Sequence, residues 1–214
     1  MGRRPQLGQK RRPAPPQHLL EQMFLTFAPA PEVLEWLKAE ILEDTGKLHN
    51  PDHQHILSVD LAVLWASGPS RSKGKAVIGT AEEVLFRASQ WVKGRQEQQM
   101  RDWFGRVPDY LITLDAGYSA QCTDTAFCAL VEHELYHIAQ KRDEFGSPAF
   151  TKDGEPKIEI TGHDVEEFVG VVRRYGVGDP GGALAQLAAA ARSAPEVGER
   201  EIAGACGTCL MRVA

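Results

Sequence analysis

The sequence predicts an α+β domain, because strand-like and helix-like apolar patterns both occur in it and neither dominates. A period-two run lies at residues 55–65, a bounded strand pattern at 108–117 and a capped helical pattern at 125–141. The 214 residues suffice for one real core, and 43% hydrophobic with 25% charged residues is ordinary globular usage. That composition excludes a disordered, collagenous or coiled-coil protein. No stretch approaches the roughly 18 uninterrupted apolar residues of a membrane span, and Met1 to Gln17 lack the apolar block of a secretory signal. The expectation is a soluble, cytoplasmic chain whose four cysteines stay reduced.

Residues 1–17, MGRRPQLGQKRRPAPPQ, read as a disordered basic arm: Arg3, Arg4, Lys10, Arg11 and Arg12 face no acid, although the whole chain carries a net charge of -5. Such an arm can hold nucleic acid through phosphate contacts, but a solvated tail is the favoured reading. A folded domain is expected over 18–176, followed at 177–214 by an alanine-rich helix and a flexible tail with Cys206-Gly-Thr-Cys209. From Pro31 a helix is signalled by proline in its first turn and by Val33, Leu34, Leu37 and Ile41 on one stripe, ending near Gly46. In the run from His55 to Trp65, Leu57, Val59, Leu61, Val63 and Trp65 share one face of an expected strand.

The turn-rich link from Gly68 to Lys75 leads to a second apolar run at Ala76 to Ile78, which suggests a hairpin. The span from Ala81 to Gln99 stays open between a helix capped by Thr80 with Glu83 and a strand through Val84, Leu85 and Phe86. Pro108 to Gly117 reads as a strand, and Tyr110 to Asp115 is a candidate edge on which an extended substrate could add. Thr123 or Asp124 caps a helix running to Lys141 with Ala126, Phe127, Leu130 and Ile138 available for burial. About 20 loop-like residues precede a second helix, from His163 or Asp164 to Arg174, and a third starts after Gly181-Gly182 and runs to Arg192. Trp36, Trp65, Trp91 and Trp103 are expected as core or interface anchors.

The chemistry concentrates in His133-Glu134-Leu135-Tyr136-His137. Histidines four apart project from one helical face, so two imidazoles can converge on a single tetrahedral zinc ion. Glu134 is rotated by about 100° from His133, which puts its carboxylate beside that ion as a general base for an attacking water. Desolvating such a cluster with nothing bound to it costs several kcal/mol, roughly. A catalytic zinc needs a third protein ligand and an open fourth position. His163 in Gly162-His-Asp-Val-Glu-Glu-Phe168 is favoured, with Asp164, Glu166 and Glu167 as carboxylate rivals or as partners for a ligand's free N–H. In the alternative continuation, with a glycine and a third histidine close behind, Gln140 and Asp143 occupy those places: an Asp143 ligand is conceivable, but Gln140 removes the easy turn and the route is disfavoured.

The blocks Tyr110-Leu-Ile-Thr-Leu-Asp115, Ala129-Leu-Val-Glu-His-Glu-Leu-Tyr-His137, Gly162-His-Asp-Val-Glu-Glu-Phe168 and Arg174-Tyr-Gly176 resemble the phage metallopeptidases, relatives of the SprT-like zinc proteases. The likeness spans about Pro31 to Gly176. It implies a minimal zincin fold with a small sheet on the HExxH helix, His133, His137 and His163 on Zn2+, Glu134 as catalytic base, a protein or peptide substrate and a phage or prophage origin, hence host cytoplasm. SprT-like relatives often carry a C-terminal zinc ribbon, and a single CxxC does not make one.

Two other clusters carry less. His49 to His55 has no regular ligand geometry and is expected as a polar loop, while Cys206 and Cys209 supply two thiolates where a structural zinc needs four ligands. Arg173, Arg174 and Tyr175 could stabilise an oxyanion only if they face the metal. The second function class is a metal-stabilised module without catalysis, associated with DNA through the arm.

Overall fold

A four-stranded mixed sheet holds helices on both of its faces, so the α+β class is as expected. The computed structural model describes residues 12–72, 74–166 and 169–206. In chain order these form α1 (Gln17–Leu20), β1 (Phe27–Pro29), α2 (Pro31–Leu37) with a π-helical turn at Lys38–Leu42, a 3-10 helix at Pro51–Ser58, β2 (Leu61–Ala66), β3 (Ser70–Ser72), β4 (Lys75–Val77) and β5 (Gly79–Glu83). Then follow α3 (Gln90–Phe104), β6 (Tyr110–Asp115), α4 (Ala116–Gln121), α5 (Asp124–His137), β7 (Ile138–Gln140), β8 (Ile158–Ile160), α6 (Val169–Tyr175), α7 (Ala183–Ala190) and α8 (Glu199–Cys206). Among the described residues no helix is long and apolar enough to cross a membrane.

The strand order is β1-β2-β6-β5, with β2 parallel to β6 and the outer strands antiparallel to their neighbours. Leu61, Val63 and Trp65 of β2 join Ile112 and Leu114 of β6 against α2 and α5, where Leu37, Phe127 and Leu135 complete the main core. Ala62, Leu64 and Leu111 point the other way, onto Met100 and Trp103 of α3. Both faces of β2 are therefore buried, as a strand paired parallel between helical layers requires.

Several expectations are corrected. The strand expected from His55 begins only at Leu61, because Pro51 and the Asn50 side chain, which accepts from the Asp52 amide at 3.0 Å, start a 3-10 helix first. The hairpin pairs β3, within the basic link, with β4, which takes Ala76 and Val77 of the second apolar run, and β2 is not its partner. The open span divides between strand and helix, but at neither expected place: β5 ends at Glu83 and leaves Val84, Leu85 and Phe86 outside any strand, and α3 starts at Gln90 after Ser89, not after Thr80, and ends on Gly105 at φ 73°. The strand Tyr110–Asp115 lies between β2 and β5, so the free edge belongs to β5.

The HExxH helix stops at His137, four residues before the expected end. The segment after it folds as an arm, β7 on β8 with bridges Arg142 to Pro148 and Phe150 to Pro156, where loop had been expected. His163 stands in the extended chain beyond β8, outside any helix, and the next helix begins at Val169. At the end of the expected free arm, Arg12 is held against the body, while residues 1–11 lie outside the described residues. The tail is not loose up to Cys206: α8 buries Ile202 and Ala205, and Trp36 Nε1–H donates to the Ala205 carbonyl at 3.3 Å. Cys209 lies outside the described residues. Of the tryptophans, Trp91 is exposed and anchors nothing in the core.

Candidate metal centre

The centre is built on α5, whose start is fixed twice. Thr123 caps it by accepting from the Ala126 amide at 3.2 Å. Arg12 reaches in from the N-terminal side, pairing with Asp124 at 3.0 Å, donating to the Cys122 carbonyl at 2.9 Å and stacking over the Phe127 ring at 5.2 Å. Phe127, Val131 and Leu135 then turn one face of α5 into the core, and His133 and His137 take the opposite face.

The chain leaves His137 directly into β7, and the register that pairs Ile138 with Ile160 brings the return strand back to the end of the helix. The Thr161 amide donates to the His137 carbonyl at 2.9 Å, and His137 Nδ1–H donates to the Thr161 carbonyl at 2.7 Å. A carbonyl only accepts, so the proton sits on Nδ1 and the Nε2 lone pair faces outward. Two residues on, His163 swings its ring to His133, with Nε2 atoms 3.2 Å apart, and His133 and His137 present theirs 3.3 Å apart.

Those separations test the fit of a metal. Nitrogens bound to tetrahedral zinc at about 2.0 to 2.1 Å lie about 3.3 to 3.4 Å from one another, the edge of the tetrahedron. With His133 and His163 in the same Nδ1–H tautomer as His137, three acceptor lone pairs would face one another at this distance, an arrangement that a cation among them relieves. Burial first, then the neighbouring His137 and His163, hold the His133 imidazole below its usual range, which keeps it neutral and able to ligate. Among the described residues, His133, His137 and His163 are the group whose ligand atoms converge, all within 4.8 Å. The exposed Asp164 and Glu166 are not in it, and Glu167 lies outside the described residues. Asp143 is occupied with the amides of Phe145 and Ser147 in the arm.

Glu134 is buried, and its Oε2 has no hydrogen-bond partner among the described residues. Burial pushes its carboxyl up to about 7, against a smaller opposing pull from His137. The carboxylate lies against Gly79, where a Cβ would fall on Oε1 and come within 2.9 Å of Cδ. A cleft of about 800 Å³ opens there, between Gly79 and Ala81 on one side and Tyr118, Leu130 and the three histidines on the other.

The Asp115 amide donates to the Ile78 carbonyl and the Val84 amide to the Asp109 carbonyl, both at 2.8 Å. Antiparallel alternation then turns the peptide groups of Thr80 and Glu82 toward β6 and those of Gly79 and Ala81 away from it, onto the open edge. Nothing in the motif pointed to this strand. A lone glycine in the apolar run Ala76-Val-Ile-Gly-Thr80 was the available signal, since glycine inside a strand marks close approach of another group.

A second network, which no sequence motif signals, backs the helix. Asn50 Nδ2 donates to Glu132 Oε1 at 2.7 Å and to the Tyr136 hydroxyl at 3.0 Å, and that hydroxyl donates to Asp52 at 3.1 Å. The buried His53 ring packs edge-on to Tyr136 with centroids 4.4 Å apart and stands 3.6 Å from Glu132. His53, then Asn50, hold the Glu132 carboxyl below its usual value despite burial. The run expected as a polar loop thus steadies the helical face that bears the histidines. Arg173, Arg174 and Tyr175 line neither cleft beside the histidines, and Arg174 stacks on Tyr175 instead.

Residues 34–192 match the family model described as "Putative phage metallopeptidase". No curated protein and no solved structure matches the chain.

Proposed function

The chain belongs to that phage metallopeptidase family, and on this premise we propose that it is a zinc peptidase hydrolysing peptide bonds in extended polypeptide. A metal cofactor follows from the family. Zinc is the ion that three imidazole nitrogens at tetrahedral spacing suit best. When bound, it would supply the Lewis acid that polarises the scissile carbonyl and acidifies the attacking water.

The chain's own groups divide the remaining work. His133, His137 and His163 hold the ion through Nε2, and Thr161 fixes the His137 tautomer and ring orientation. Glu134 takes the proton of the attacking water and returns it to the nitrogen of the leaving amine, so that one water adds across the broken bond. A carboxyl poised near neutrality can do both. Gly79 and Ala81 pair with the substrate main chain as an added strand, which brings a peptide bond alongside the carboxylate.

The observation that carries this reading is the placement of Glu134, buried and unpartnered, between three converging Nε2 atoms and an open strand edge. A closed structural zinc site would need a fourth protein ligand, and among the described residues none joins the three. The test is a search for new peptide termini in a proteome treated with the zinc-loaded chain and with Glu134→Gln. The variant is expected to retain zinc and produce none. Undiminished cleavage by the variant removes Glu134 from its role and the mechanism with it.

A further inference from the structure

On the other side of the three histidines lies a second space of about 690 Å³, roofed by α7. This helix is unusual for its composition. Its sequence, Ala183-Leu-Ala-Gln-Leu-Ala-Ala-Ala190, is almost wholly apolar, yet none of its eight residues is buried, and Leu187 is 55% exposed. An apolar helix normally hides its stripe in a core. Ala183, Gln186, Leu187 and Ala190 follow the i, i+3, i+4, i+7 spacing of one helical face, and it is these four that line the space opposite Tyr136 and the histidines.

The two spaces share His133, His137, Thr161 and His163, so they are halves of one groove that crosses the metal centre. The first half is bounded by the open edge of β5. A strand laid along that edge and continued past the histidines must enter the second half, where its side chains meet the Leu187 face and the Tyr136 ring. Burying an apolar side chain there covers surface on both partners, whereas a charged one would lose its water with no countercharge from Ala183, Leu187 or Ala190.

We propose that the face of α7 bearing Ala183, Leu187 and Ala190 is a substrate subsite that accepts an apolar side chain of an extended polypeptide, across the metal centre from the strand-pairing edge. The inference rests on the peptidase reading for the identity of the occupant. It adds that the chain selects segments of the kind that folded proteins keep inside, with an apolar residue on the α7 side of the bond to be cut. Gln186 and the exposed Asp164 also line the space and give main chain and water a polar part of its wall.

The test uses the zinc-loaded Glu134→Gln chain, so that binding is read without turnover. Three fluorescein-labelled octapeptides alternate Thr with Leu, with Asp or with Lys, and their affinities are compared by anisotropy. The Leu peptide is expected to bind about tenfold or more tightly than either charged one. Adding Leu187→Lys should move the preference to the Asp peptide, and adding Leu187→Asp should move it to the Lys peptide. Opposite switches cannot come from misfolding. The proposal is overturned if no peptide binds, if the Leu peptide is not preferred, or if the order is the same in both Leu187 variants. Cleavage of the Leu peptide by the chain with Glu134 intact is scored separately: its absence, with the Leu187 switches present, overturns the peptidase reading and leaves the subsite standing.

Discussion

Thr161 is bonded to His137 from both of its peptide groups, amide to carbonyl at 2.9 Å and carbonyl to ring Nδ1 at 2.7 Å. One residue thereby ties down the end of the helix, sets the His137 tautomer and stands two residues before His163. Since both bonds use main chain, Thr161→Ala should keep zinc affinity near that of the parent. Thr161→Pro, which removes the donor, should weaken it by about 10 to 100-fold in competition with a chelator. Equal affinities for parent and proline variant would show that the pairing does not orient the ligand.

Gly79 gives the carboxylate its place. Any side chain there collides with Glu134, so Gly79→Ala should lower kcat on the order of a hundredfold through displacement of this proposed base, while zinc stoichiometry stays the same. An alanine variant with parental kcat would mean that Glu134 has room to spare.

The raised carboxyl of Glu134 has a signed effect on the metal-free protein. Its folded-state value of about 7 lies above the ordinary 4.5, so the fold favours the protonated form. That contribution is full below about pH 4.5 and is lost as pH rises through about 7. Denaturant unfolding at pH 5 and pH 8 should therefore show the parent losing stability relative to Glu134→Gln, by on the order of 2 kcal/mol. A pH-independent difference between the two would place the carboxyl in water.

The C-terminal segment belongs to the core through α8. Ile202→Ala empties a buried position between α8 and the body and should cost roughly 2 to 4 kcal/mol in thermal or denaturant unfolding. A change within about 0.5 kcal/mol, the range of surface substitutions, would detach α8 from the fold.

The legible parts of this molecule are those where one local signal decides the outcome. Pro31 and the Val33, Leu37, Ile41 stripe mark a helix, and the spacing of His133 and His137 puts both on one face before any fold is known. The bounded strand Tyr110–Asp115 is equally local. What escaped depends on pairing across the sequence. Neither the arm between Ile138 and Ile160 nor the edge position of β5 is written in a periodicity, because each is fixed by which strands find each other. His163 is legible as a residue type in a motif, while its support is a strand register and not the helix expected there. The network of Asn50, Asp52, His53, Glu132 and Tyr136 joins residues some eighty positions apart, and no spacing rule reaches so far.

The centre is tested most directly by zinc K-edge X-ray absorption on the loaded protein, beside metal analysis of His163→Ala. The expected spectrum has three imidazole nitrogens and a light fourth ligand at about 2.0 to 2.1 Å, with zinc content falling in the variant. Sulfur at about 2.3 Å, or undiminished zinc without His163, would contradict the site.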